Sequence, residues 1–97
     1  MTNEKILEVK RALQQTEIKI LAHKRALDKV DFEINELDEQ MEDYIVCGFE
    51  DKSFIEELEE EKKIHVRIMQ KLAEKVLDYE EVKRKLEKVL NDDEGQN

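Results

Sequence analysis

An all-α fold, two long helices closed into an antiparallel coiled-coil hairpin, is what this sequence predicts, and three observations carry the prediction. The chain of 97 residues has two glycines and no proline, too few turn residues for an all-β or α/β domain of this size. Its apolar residues recur in alternating steps of three and four over two long stretches, the 3.5-residue period of a coiled-coil seam. One glycine-containing break, at Gly48, separates those stretches. Charged residues make up 44% of the chain and hydrophobic ones 39%, so the chain cannot wrap a large core of its own and must be extended, oligomeric or both.

The first helix is expected over about residues 3–47. From Ile6 and Val9 through Leu13, Thr16, Ile20, His23, Leu27, Val30, Ile34, Leu37 and Met41 to Tyr44 the seam is unbroken, whereas the stripe of a generic amphipathic helix drifts around its axis. Gly48 suits the left-handed position just past the helix end, with Phe49 next to it placed to touch Tyr44 in a Schellman arrangement. The turn spans about residues 48–52. Ser53 with Glu56 three residues later reads as a capping box, and starts a second helix over about residues 53–91.

In this second helix Leu58, His65, Leu72, Tyr79 and Leu86 share one heptad position. Ile55, Met69, Val76 and Leu90 flank it on one side, and Ile68, Val82 and Val89 on the other. Three apolar columns are wider than a two-stranded seam and suit a helix that faces two neighbours. The predicted domain is therefore a single hairpin over residues 1–91, followed by a disordered acidic tail at 92–97. Two hairpins are expected to dimerise, antiparallel, into a four-helix bundle over part of their length. Ile20, His23, Leu27, Ile68, Leu72 and Val82 are the candidate oligomer interface, and Ile18 and Phe32 lie outside the seam. The alternative is a monomer that keeps this surface for another protein.

Charge is sorted along the chain. Residues 28–61 hold fifteen acidic and two basic side chains, residues 1–27 three and six, and residues 62–90 five and nine. In a hairpin the turn end is thus strongly acidic and the open end mildly basic, and such rods favour antiparallel packing at contact range. Direct nucleic-acid binding is disfavoured, because counterion release needs a basic surface. KRKLEK at Lys83–Lys88 lies among Glu80, Glu81 and Glu87. No stretch approaches the roughly 18 apolar residues of a membrane span and no leader is visible at the N-terminus. With Cys47 alone, a cytoplasmic location without disulfides is expected, the thiol being a small buried side chain at a helix end.

Catalytic and metal chemistry find no footing in the pattern. His23 and His65 fall on the seams, but facing residues of a hairpin turning near residue 50 have numbers summing to about 100, which separates the two by roughly 18 Å. Neither belongs to a Glu-x-x-His pair; Glu61 is the nearest carboxylate to His65 at helical spacing. With Thr16 they read as polar layers that set register. Lys62 and Lys83 reach a flanking column as snorkelling side chains. No phosphate loop, Ser-His-Asp set or paired inward carboxylate is present. The expectation is a non-enzymatic chain without cofactor or metal.

The unusual segment is Tyr44-Ile45-Val46-Cys47-Gly48-Phe49, apolar where a hairpin normally turns polar, followed by Phe54 and Ile55. It either plugs the end of the bundle or forms a docking knob ringed by carboxylates, with Tyr44, Ile45, Val46, Phe49, Glu50, Asp51 and Phe54 as candidate partner-binding residues. Phe54, on the first turn of the second helix, is the better plug, and Phe49 the better docking residue. The function expected is a protein interaction module, an adaptor, regulator or assembly factor. The second reading is an acidic nucleic-acid mimic, a small inhibitor of the kind that phages encode, seated in a basic groove of a polymerase, nuclease or DNA-binding protein.

Overall fold

Two helices, α1 (Asn3–Val46) and α2 (Lys52–Gly95), pack antiparallel as an extended hairpin. The structure, a computed structural model, describes residues 1–49 and 51–95, with side chains up to Asp93. Glu50, Gln96 and Asn97 lie outside the described residues, so the expectations placed on Glu50 and on the last two residues of the tail have no structural counterpart. No helix among the described residues is long and apolar enough to cross a membrane.

Thr2 caps α1: its side chain accepts a hydrogen bond from the Lys5 backbone N–H at 3.2 Å, and Glu4 stands in the first turn, where the helix dipole favours a carboxylate. At the other end the Schellman arrangement is present. Gly48 N–H donates to the Ile45 carbonyl at 3.0 Å, Phe49 N–H donates to the Tyr44 carbonyl at 3.3 Å, and Gly48 has φ +79°.

Two boundaries of α2 differ from expectation. The cap is Asp51, whose carboxylate accepts from Ser53 N–H at 3.0 Å, and the helix begins at Lys52. Ser53 is thus inside the first turn and does not cap. Asp and Ser rank alike as caps, and the tight exit through Gly48 leaves the chain ready to enter the helix at the earlier of the two. The far end continues to Gly95 where a disordered tail was expected from residue 92. There the Met1 ammonium meets the Asp93 carboxylate at 3.2 Å, and a glycine closes the helix, the residue that most readily leaves it.

Facing residues follow one register. His23 stands edge-on to Tyr79 with ring centroids 5.1 Å apart, and Tyr44 packs on Phe54 at 4.7 Å. Lys62 pairs with Asp38 at 2.7 Å and His65 with Glu33 at 2.9 Å. The numbers of these four pairs sum to 102, 98, 100 and 98, as a turn near residue 50 requires. His23 and His65 therefore sit in separate layers.

The seam consists of the heptad residues named above. Ile20, Val30, Ile34 and Leu37 of α1 are buried, with Leu58 and Val76 of α2 and the polar Thr16. No side chain among the described residues is fully enclosed, because two cylinders cover only a stripe of each other. The rod measures 71 × 18 × 15 Å with a radius of gyration of 21.4 Å, against about 12.5 Å for a compact chain of this length. Its accessible surface is 7752 Å², where a globular monomer of the same mass exposes about 5,800 Å².

The polar seam residues behave unequally. Thr16 Oγ1 donates to the Ala12 carbonyl at 2.8 Å, which satisfies it within its own helix and leaves it no polar role across the seam. His65 lies with Nδ1 2.7 Å from the Glu61 carbonyl and Nε2 2.9 Å from the Glu33 carboxylate. Both partners only accept, so the ring meets both when each nitrogen carries a proton. The side-chain partner of His65 is thus Glu33 across the seam, and Glu61 contributes its backbone. Lys62 and Lys83 do more than snorkel: each reaches a carboxylate of α1, Asp38 and Glu17 respectively, at 2.7 and 3.8 Å.

Candidate functional site

The turn end gathers three aromatic rings. Tyr44, on the last turn of α1, stacks on Phe49 with centroids 4.9 Å apart and planes at 21°, and packs against Phe54 at 4.7 Å and 43°. The positive φ of Gly48 folds Phe49 back over Tyr44, and entry into α2 at Lys52 brings Phe54 across to the same ring. Tyr44 is the shared centre of the cluster. Phe54 is 40% exposed and Phe49 59%, so Phe54 is the better covered of the two while most of Phe49 faces water.

A shallow cavity of about 350 Å³ opens beside these rings, lined by Gln40, Asp43, Tyr44, Cys47, Phe49 and Phe54. Gln40, Asp43, Tyr44 and Cys47 are spaced three and four apart and so share one helix face, a spacing visible in the sequence although Gln40 and Asp43 carry no apolar signal. Cys47 is exposed, contrary to the buried position expected for it. As the residue after the last turn of α1 it lies beyond the reach of the seam. Ile45 and Val46 are also exposed, on the far side of the helix end.

Carboxylates surround the tip. Asp43 lines the cavity, Asp51 caps α2, and Glu56, Glu57, Glu60 and Glu61 line an open groove along α2 beginning at Ser53. An aromatic face offers apolar contact and attracts a cation over its ring, and carboxylates around it make the local potential negative. Among the described residues no three His, Cys, Asp or Glu side chains converge as a metal-ligand set.

The oligomer candidates separate into two groups. Ile20 is buried against α2, and His23, Leu27 and Leu72 are half-buried in the same seam, so the chain's own hairpin already occupies them. Ile68 and Val82 are exposed. Ile18 and Phe32, apolar residues outside the seam, are more than half exposed, as are Leu7, Leu21, Ile64 and Leu77. Comparison of the chain with protein-family models, with curated proteins and with solved structures gives no match.

Proposed function

We propose that this protein is a non-enzymatic interaction module, an adaptor, regulator or assembly factor of the cytoplasm, whose hairpin tip docks a basic, partly apolar surface of another protein. The supporting observation is the half-exposed Tyr44–Phe49–Phe54 cluster, placed at the end of a rod and within its most acidic third. Apolar anchors of this kind supply affinity, and the charge around them supplies rate and selectivity. The rod itself pairs with a second copy, antiparallel, into a four-helix bundle; its surplus of accessible surface over a globular chain favours this.

Phe49→Ser combined with Phe54→Ser is expected to abolish capture of the partner while leaving helicity and oligomeric mass nearly unchanged. The assay compares the variant with the wild type in affinity capture, circular dichroism and sedimentation. A variant that still captures the same protein at wild-type strength would overturn the tip as the docking site. A large fall in melting temperature would instead identify both rings as a plug.

The groove of Glu56, Glu57, Glu60 and Glu61 favours a second reading, an acidic mimic of nucleic acid that occupies a basic groove. Under that reading the captured protein handles nucleic acid, binding collapses at moderate salt, and duplex DNA competes. Binding through the aromatic tip instead survives salt.

A further inference from the structure

We infer that the cavity beside Tyr44, Phe49 and Phe54 takes the guanidinium of an arginine carried by a basic segment of a different protein, laid flat on the Phe49 ring with its N–H fork toward the Asp43 carboxylate. This deepens the tip reading proposed above, on which it rests, by naming the group that the tip holds.

Ring geometry separates arginine from lysine and its methylated forms. Tyr44 lies against Phe49 with planes at 21° and against Phe54 with planes at 43°, and neither angle approaches the right angle at which rings wall a box. An ammonium, methylated or not, gains most from several ring faces directed at one point, which this row of rings does not supply. A planar cation needs only one flat face. Phe49 has one face on Tyr44 and is 59% exposed, so its other face is open, and a guanidinium laid there continues the stack.

The cavity also carries the acceptors that a guanidinium needs. Its volume of about 350 Å³ is at the small end for a ligand site, and Asp43 and Gln40 line it beside the rings. Among the described residues the Asp43 carboxylate meets no base and accepts no hydrogen bond, whereas Asp38 of the same helix is paired with Lys62 at 2.7 Å. Asp43 is therefore available to accept two parallel N–H groups from one edge of a guanidinium, an arrangement stronger than a neutral hydrogen bond. The Gln40 carbonyl is a second acceptor on the same helix face. An open cavity does little to replace the hydration shell of an ammonium, while a guanidinium is more weakly hydrated and gives up less.

Charge and size fix what carries the arginine. Residues 28–61 hold fifteen acidic and two basic side chains, so a segment with further bases and few acids is attracted to the tip and an acidic one is repelled. The tip of a second copy is the same acidic region and is repelled from this one. The rod is 18 by 15 Å in cross-section, so its end offers about 270 Å², a third of the roughly 800 Å² that each partner of a standard interface buries. An end that small holds one anchoring side chain and its neighbours and not a broad folded face.

The test is an NMR titration of the isotope-labelled full-length chain with blocked pentapeptides that carry one variable residue between glycine pairs. With arginine at the centre, the resonances of Asp43, Tyr44, Phe49 and Phe54 are expected to shift to saturation with a dissociation constant on the order of 1 mM at low salt. Lysine or trimethyl-lysine in its place should bind at least about fivefold more weakly, and citrulline, planar but uncharged, at least about tenfold. Phe49→Leu, which keeps apolar bulk, and Asp43→Asn, which leaves the rings in place, should each weaken the arginine peptide at least about fivefold with helicity retained; if Phe49→Leu disturbs the turn, Asp43→Asn decides. No saturation by the arginine peptide up to about 10 mM, equal or tighter binding of the lysine, trimethyl-lysine or citrulline peptide, or shifts spread along Glu56–Glu61 with the rings unmoved would overturn the arginine site. A sedimentation mass that halves as the arginine peptide saturates would assign the cavity to a second copy and overturn it as well. The wider tip reading is decided separately, by capture with the Phe49→Ser, Phe54→Ser variant, so the arginine site can fail while that reading survives.

Discussion

Gly48→Ala isolates the energetics of the turn, because no contact with the rest of the molecule is altered there. Gly48 has φ +79°, and a Cβ added to it meets no atom within 4 Å. Steric clash with the rest of the molecule therefore contributes nothing, and the cost is that of holding an L-residue in the left-handed region, about 1–2 kcal/mol. Alanine also restricts the unfolded chain relative to glycine, which returns about 0.4–1 kcal/mol. The expected net destabilisation is about 1 kcal/mol, or a melting temperature lowered by about 4–8 °C for a domain of this size. D-Alanine at the same position, introduced by chemical ligation, removes the first contribution and keeps the second, so it should stabilise by about 0.4–1 kcal/mol. Urea unfolding followed by circular dichroism measures both, at one fixed protein concentration because self-association adds to apparent stability. If L-alanine proves neutral, or if the D-residue destabilises, the left-handed turn and the Schellman closure built on it are wrong.

Two further outcomes test the ends and the surface of α2. Asp51→Ala should lower stability by about 1 kcal/mol while Ser53→Ala stays within about 0.5 kcal/mol, and a larger loss at Ser53 would return the cap to that residue. The Arg84 guanidinium, by hydrogen bond first and by its charge second, holds the exposed Glu81 carboxyl below the usual carboxylate range. Because the folded-state value is the depressed one, the small contribution of this pair is present above the ordinary carboxylate range and is lost as pH falls through the depressed value. Arg84→Ala should move the Glu81 titration upward in an NMR pH series, and an unmoved titration would show that another group sets it.

The long-range form of this molecule was legible because one signal repeats: a step of three and four residues sustained through both helices leaves no other regular structure available. The Schellman turn was equally readable, since Gly48, Tyr44 and Phe49 each fill a position with a distinct requirement. The start of α2 was not, because Asp51 and Ser53 are near-equal caps two residues apart and periodicity does not resolve so small an offset. Nor was its end, where the weak helix formers Asn91, Asp92 and Asp93 stay helical beside the Met1 ammonium. At the tip, the aromatic residues announced themselves as apolar residues in a turn, but the exposure of Cys47 and the place of Asp43 beside the rings depend on how the last turn of α1 is oriented. Heptad columns likewise name the apolar residues of α2 and separate the central Leu72 from the flanking Ile68, without saying which flanking column the facing helix leaves bare.

The single register of the seam also orders the events of folding. Contacts across it join residues ten positions apart between Tyr44 and Phe54, but ninety-two apart between Met1 and Asp93. The entropy of closing a loop rises with its length, so the contacts nearest the turn form at the smallest cost and each layer added shortens the loop that the next must close. Assembly therefore runs as a zipper from the aromatic cluster outward. Its reverse, fraying, begins where the Met1–Asp93 pair holds the last layer together, and the end of the rod that carries the candidate docking residues is also the end that opens last.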